Sequence, residues 1–156
     1  DKCFYAEQNE GAFLNNKPIH VTSSNTLSEC LLATGFPYKH DKKYDLLFDI
    51  FKDFYDITRG IRRLGAASLD LCFVAMGRFD GFYEFGLKPW DICAGSLIVK
   101  EAGGITSDWN NDNLPCTGIR ILATNGYIHH DMVTILSNNK YKLFFSSLFI
   151  NSLMAK

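Results

Sequence analysis

The 156-residue chain contains no apolar run approaching the ~20 residues that a membrane-crossing helix needs. Its N-terminus lacks the basic-then-apolar pattern of a signal peptide. Cysteines are few and unpatterned: Cys3, Cys30, Cys72, Cys93 and Cys116 are odd in number, widely spaced and without a C-x-x-C pair, so neither a disulfide framework nor a zinc knuckle is signalled. Nor is there an excess of charge of one sign. Sixteen basic residues against seventeen acidic leave a net charge of −1, which offers no field for holding a polyanion such as nucleic acid. Any phosphate the chain handles must be met locally, by a cation or by backbone amides. Together these absences predict a cytoplasmic protein with neither a nucleic-acid nor a membrane partner.

What is present is a core. With 47% hydrophobic and 14% aromatic residues, the chain is rich enough in apolar area to fold as one domain, and disorder is excluded as its main state. Residues 3–6 and 11–14 read as two short strands around a turn, with Asn15-Asn16 leading into Lys17-Pro18-Ile19. A chain that starts inside a hairpin, with no initiator Met, reads as part of something longer. Leu31–Thr34 predicts a buried strand, turned by Gly35-Phe36-Pro37 into a helix opening near Asp41, whose Tyr44, Leu47, Phe48, Phe51 and Tyr55 form a stripe that should cover a sheet. A strand over 61–64, a helix over 66–76 apolar on nearly every side, a strand over 79–85, a helix from Asp91, strands at 105–106 and 119–124, and a helix from about Ile128 complete the pattern. Strand and helix alternate from Leu31 onward, which predicts an α/β layered fold preceded by the edge hairpin of an antiparallel sheet, over residues 1–137. The stretch 138–156 is an apolar tail whose role the sequence leaves open: a docked helix, a partner contact or an aggregation-prone end.

Chemistry concentrates at Trp90-Asp91, which is followed by Ile92-Cys93-Ala94-Gly95-Ser96-Leu97-Ile98-Val99-Lys100-Glu101-Ala102-Gly103-Gly104. One carboxylate stands at the mouth of an apolar, glycine-notched helix, where it is either a cap facing the helix dipole or a metal ligand. Glu84, in Phe82-Tyr83-Glu84-Phe85-Gly86, is an isolated acid on an apolar strand and needs partners if buried. Asp70 and Asp80 read as surface or capping acids, and Lys88 as a solvated loop lysine. His129-His130-Asp131 looks like a metal cluster, but adjacent residues at a helix start point in different directions, so capping and exposure are expected. His20, His40 and the cysteines have no base or orienting partner at recognisable spacing.

The Trp90–Gly104 stretch resembles the C-terminal signature of the inositol monophosphatase family. Two further segments are similar to that family, in order: Gly11-Ala12-Phe13-Leu14-Asn15-Asn16-Lys17-Pro18-Ile19, where Asn16 stands in place of a usual glycine, and Arg62-Arg63-Leu64-Gly65-Ala66-Ala67-Ser68, where the hydroxyl usual after the glycine is missing at Ala66. Asn tolerates the left-handed turn that glycine would take. The resemblance implies the C-terminal half of the sugar-phosphatase αβαβα sandwich. It also implies Mg²⁺-dependent, lithium-sensitive hydrolysis of inositol monophosphate or a similar phosphorylated polyol. It makes Asp91 a Mg²⁺ ligand, Glu84 an acceptor for substrate hydroxyls, and Gly65, Ala66 and Ala67 the border of the substrate pocket. The family's earlier glutamate and its Asp-Pro-x-Asp-Gly-Thr segment are absent, so the main metal ligands and water-activating groups are expected in an N-terminal half that this chain needs as a partner, within a homodimer. By itself the chain should be inactive. Alternatives are a nucleotide 3′-phosphatase, a fructose-1,6-bisphosphatase, or a catalytically incomplete binding or regulatory module.

Overall fold

The structure, a computed structural model, describes residues 1–37, 42–114, 119–138 and 140–141, with the side chains of residues 42 and 43 left aside. The predicted helix start at Asp41 and nearly all of the tail 138–156 therefore lie outside the described residues. A three-stranded antiparallel sheet comes first: β1 (Phe4–Glu7), β2 (Gly11–Leu14) and β3 (Lys17–Pro18). Asn15 and Asn16 join β2 to β3 with φ of 49° and 64°, the two positive values that a tight primed turn requires. Asparagine thus does replace glycine here at little conformational cost.

A five-stranded mixed sheet follows, in the order β5-β4-β6-β8-β7: β4 (Leu31–Thr34), β5 (Gly60–Arg62), β6 (Gly81–Phe85), β7 (Ile105–Ser107) and β8 (Arg120–Thr124). β4 pairs in parallel with β5 and β6, whereas β8 runs antiparallel to β6 and β7. The helices are α1 (Lys42–Tyr55), α2 (Ala67–Ala75), α3 (Pro89–Glu101) and α4 (His129–Leu136). Strict alternation fails between β7 and β8, with no helix between them among the described residues.

Successive strand residues point to opposite faces, and this sorts the core in two. Ala33, Phe82, Ile121 and Ala123 pack with Leu71, Val74, Ile92 and Val99 of α2 and α3. Leu32, Tyr83 and Leu122 pack with Ile50 and Phe54 of α1 and with Ile128 and Met132 at α4. Ala12 of β2 joins the first cluster, so the small sheet lies over α3 and the layers run small sheet, α2 with α3, mixed sheet, α1 with α4. Glu101 pins the hairpin: its carboxylate accepts from Asn9 N (3.0 Å) and Gly11 N (3.1 Å). α2 and α3 approach closely because Gly95 has no side chain; a Cβ there would come within 2.6 Å of Leu71 Cδ1.

Three expectations are corrected. On α1 the buried stripe is Leu47, Ile50 and Phe54, while Phe48 and Tyr55 are exposed. Both stripes have helical spacing in a segment with eight large apolar residues, and the aliphatic pair with Phe54 fits the sheet. The outer stripe is an aromatic ladder, Phe36 stacking on Phe48 at 4.8 Å and Phe51 on Tyr55 at 5.8 Å. Asp80, read as a surface acid, is buried and accepts from Thr22 Oγ1 (2.6 Å) and Leu31 N (2.7 Å). It anchors the connection from the small sheet at the start of β4. Tyr141, near the start of the tail, is buried against α1, its hydroxyl bonded to Asp53.

The third correction is His129, which is only 5% exposed. Donor accounting fixes its tautomer. Gly126 N donates to Thr124 Oγ1, which leaves the Thr124 hydroxyl proton for His129 Nδ1 at 3.0 Å. Ser107 gives its proton to Asp108 O, so its oxygen accepts from His129 Nε2–H at 3.0 Å. A second imidazole proton, on Nδ1, would have to displace the Thr124 hydroxyl proton directed there, and burial holds the His129 pKa below its ordinary value. The unfolded chain then binds a proton that the folded chain refuses, so stability falls as pH drops below about 6.5, the unperturbed histidine value. The urea midpoint should decrease between pH 7 and pH 5.5, and more in the wild type than in His129→Gln. An imidazole NMR titration placing His129 at or above 6.5 would contradict this.

Candidate functional site

β4, β5 and β6 are parallel, so their C-terminal ends reach one edge of the mixed sheet, where crevices of open α/β sheets form. The chain leaving β5 runs through Arg63 to Gly65, whose φ of 89° suits a residue without Cβ. It then enters α2 at Ala66, an N-cap with no side-chain capping bond. β6 ends beyond Glu84, and α3 opens at Pro89 with Asp91 in its first turn. Between these pieces lies a cleft of about 290 Å³.

All five residues singled out in the sequence line it: Gly65, Ala66 and Ala67 on one wall, Glu84 and Asp91 on the others. Asp91 does cap its helix, Lys88 N donating to Asp91 Oδ2 at 2.9 Å. A carboxylate has about four acceptor positions, so one cap bond leaves capacity for another partner. Gly35, Phe36 and Leu87, not singled out in the sequence, line the same cleft, as do Arg63 and Ser68 of the Arg62–Ser68 segment. Ser68 supplies a hydroxyl two residues beyond the position where Ala66 lacks one. Gly35 was read only as a turn residue; its signal was its place directly after β4, beside a strand carrying an acid. Trp90, the other half of the signature dipeptide, is 77% exposed.

Asp70 is the largest surprise. Expected at the surface, it is 1% exposed on α2, and neither carboxylate oxygen has a hydrogen-bond partner in the structure. Burial pushes its pKa up to about 7. Burial likewise lifts Glu84 to about 7, with repulsion from Asp70 and Asp91 adding to it and the Arg63 guanidinium opposing it. The cleft therefore gathers more carboxylate than cationic charge. A phosphate alone would be repelled by Glu84 and Asp91. A hard divalent cation would relieve that repulsion, and Mg²⁺, which prefers oxygen ligands, suits the donor set. The fit is partial. Among the described residues no group of three His, Cys, Asp or Glu could hold a metal ion, so Asp91 would contribute one ligand of several.

A layered α/β fold with a cleft at the strand ends, edged by two helix N-termini and two acids, defines the class: the sugar-phosphatase αβαβα sandwich. Within that class, residues 1–141 match the model of the inositol monophosphatase family, and the chain belongs to that family. It is 48% identical over 134 residues to the putative Nus factor SuhB of Neisseria meningitidis, covering 86% of this chain and 51% of that protein. With the inositol-1-monophosphatase of Synechocystis it shares 44% identity over 136 residues, 87% of this chain and 47% of the relative. The structure of an inositol monophosphatase from Anabaena superposes with a TM-score of 0.80 at 40% identity, covering 87% of this chain and 54% of that one. The chain thus spans about half the length of the curated relatives it matches.

Proposed function

We propose that the protein to which this chain belongs is a Mg²⁺-dependent phosphatase of inositol monophosphate or a similar phosphorylated polyol, with this chain supplying the substrate wall and one metal ligand. The observation that carries the reading is the convergence of Glu84, Asp91 and the Gly65–Ala67 turn on one cleft. In this reading Asp91 holds a Mg²⁺, which when bound supplies charge neutralisation for the transferring phosphoryl group. Glu84 accepts bonds from the polyol hydroxyls, an acceptor-only role that an ionised carboxylate fills well. The first turn of α2, which has no side-chain cap, lets backbone approach the ligand where Ala66 and Ala67 are small. The remaining metal ligands and the water-activating group belong to an N-terminal half, and the assembly is a cytoplasmic homodimer. No helix among the described residues is long and apolar enough to cross a membrane.

Glu84→Gln tests the substrate role. In the complete protein it should lower kcat/KM for inositol monophosphate by roughly ten- to a hundredfold, the cost of losing a charge-assisted hydrogen bond. A simple aryl phosphate, which has no vicinal hydroxyls, should lose under about threefold on the same grounds. Equal losses on both substrates would make Glu84 a structural group or a support for the metals.

A second reading is favoured by one specific observation: several relatives, including those of Neisseria meningitidis and Escherichia coli, are named Nus factors. Under it the chain is a binding module for a transcription assembly. Retained partner binding by an Asp91→Asn variant that has lost phosphatase activity would show that the two roles are separable.

A further inference from the structure

The parallel register of β4 and β6 sets Thr34 opposite Tyr83, and Thr34 Oγ1 donates to Tyr83 O at 2.7 Å. The next residues along, Gly35 and Glu84, therefore lie side by side at the rim of the cleft. At Gly35 a Cβ would stand 2.3 Å from Glu84 Cδ, Oε1 and Oε2 alike. The carboxylate fills the space that any side chain at residue 35 would need. Gly35 is not among the residues with positive φ, so its backbone is open to any L-residue and the requirement for glycine here is spatial.

We propose that Gly35 is a specificity-determining positioning residue: the notch left by its missing side chain seats the Glu84 carboxylate where it can meet a polyol hydroxyl. The inference rests on the polyol phosphatase reading for its effect on substrate choice, but the seating itself does not. The forces on Glu84 explain why a seat is needed. Asp70 lies behind the α2 wall and Asp91 across the cleft, both repelling the Glu84 carboxylate, and Arg63 attracts it. A long side chain with three rotatable bonds would settle under such forces in more than one place. With the notch available, the carboxylate lies back against the β4 end at Gly35. With the notch filled it must swing away, because the obstructing methyl belongs to backbone directly after the paired Thr34 whereas the Glu84 carboxylate is the far end of a flexible side chain.

The test is Gly35→Ala in the complete protein. KM for inositol monophosphate should rise roughly tenfold or more, with kcat and the hydrolysis of phenyl phosphate within about twofold of wild type, the pattern of a lost substrate contact. The same substitution in a Glu84→Ala background should add nothing, since the clash has gone. Glu84→Asp, one methylene shorter, should recover part of the loss in the Gly35→Ala protein. Unchanged KM in Gly35→Ala while Glu84→Gln is impaired would overturn the proposal, and so would a loss additive with Glu84→Ala. If the complete protein hydrolyses neither substrate, the functional reading fails and the seat is judged on crystal structures. A Glu84 carboxylate moved by about 1 Å or more in Gly35→Ala supports it, and an unmoved one overturns it.

Discussion

Asp91→Asn is expected to lower turnover of the complete protein by roughly two to three orders of magnitude, the several kcal/mol that a lost Mg²⁺ contact removes from transition-state stabilisation. The fold should survive. Asparagine keeps an oxygen that can accept from Lys88 N, so the cap of α3 persists. What is lost is the charge in the first helical turn, worth about 0.3–1 kcal/mol at an exposed helix terminus. Binding of the cation suffers far more, because a neutral amide oxygen is a poor ligand for a small hard ion that gives up its waters reluctantly. Activity should be measured over a Mg²⁺ titration alongside a melting curve. A partial recovery at high Mg²⁺ fits weakened binding of the metal; near-normal turnover at ordinary saturating Mg²⁺ would remove Asp91 from the metal site altogether.

Much of the fold was legible because the signals were local. The paired asparagines at 15–16 demanded a turn with positive φ, and the structure has one. The 11–14 and 31–34 strands, and the helix from Trp90-Asp91 to Glu101, follow hydrophobic patterns bounded by turn residues. Failures came where two patterns overlapped or where a property depends on tertiary neighbours. On α1 the stripes 44-48-51-55 and 47-50-54 are both helical, and only the shape of the sheet beneath selects the second. Asp70, Asp80 and His129 are polar residues for which exposure is the natural default. Asp80 and His129 are buried because hydrogen-bond partners from other elements meet them, Thr22 and Leu31 donating to the one, Ser107 accepting from the other while Thr124 donates to it. Sequence order does not reveal such meetings.

The site was legible to the extent that it rests on a signature. Glu84, Asp91 and the 65–67 turn were found through motifs, and the structure gathers them into one cleft. Gly35 could not be found that way. Gly35 matters through a space it leaves empty, and that space has meaning only once β4 and β6 are paired in register. Asp70 is different again. A carboxyl with no partner, buried beside the cleft, costs free energy at neutral pH whether it ionises or takes a proton. Perturbed, poorly partnered carboxyls of this kind cluster at functional sites.

The 156-residue chain alone should release no phosphate from inositol monophosphate in a Mg²⁺-dependent manner, and addition of a matching N-terminal half should restore some release. Counting ligands leads to this. Mg²⁺ takes six oxygens in near-octahedral geometry and keeps its waters unless anionic oxygens displace them. Asp91 offers one such group, and Glu84 is assigned to the polyol. Among the described residues there is no cluster of three potential ligands. A single carboxylate in water does not hold the ion at useful concentrations, so neither the phosphoryl charge nor an attacking water can be managed. In the proposed reading the second half supplies the missing ligands, and the assay can use the part of the Synechocystis relative that this chain does not match, which is about half of that protein. Recovery should depend on Asp91 of this chain, disappearing when Asp91→Asn is mixed with the same half. Robust release by the chain alone would place the metal site on residues other than those named here. A folded chain that binds its matching half yet stays inert under every condition would favour the binding-module reading over the enzyme.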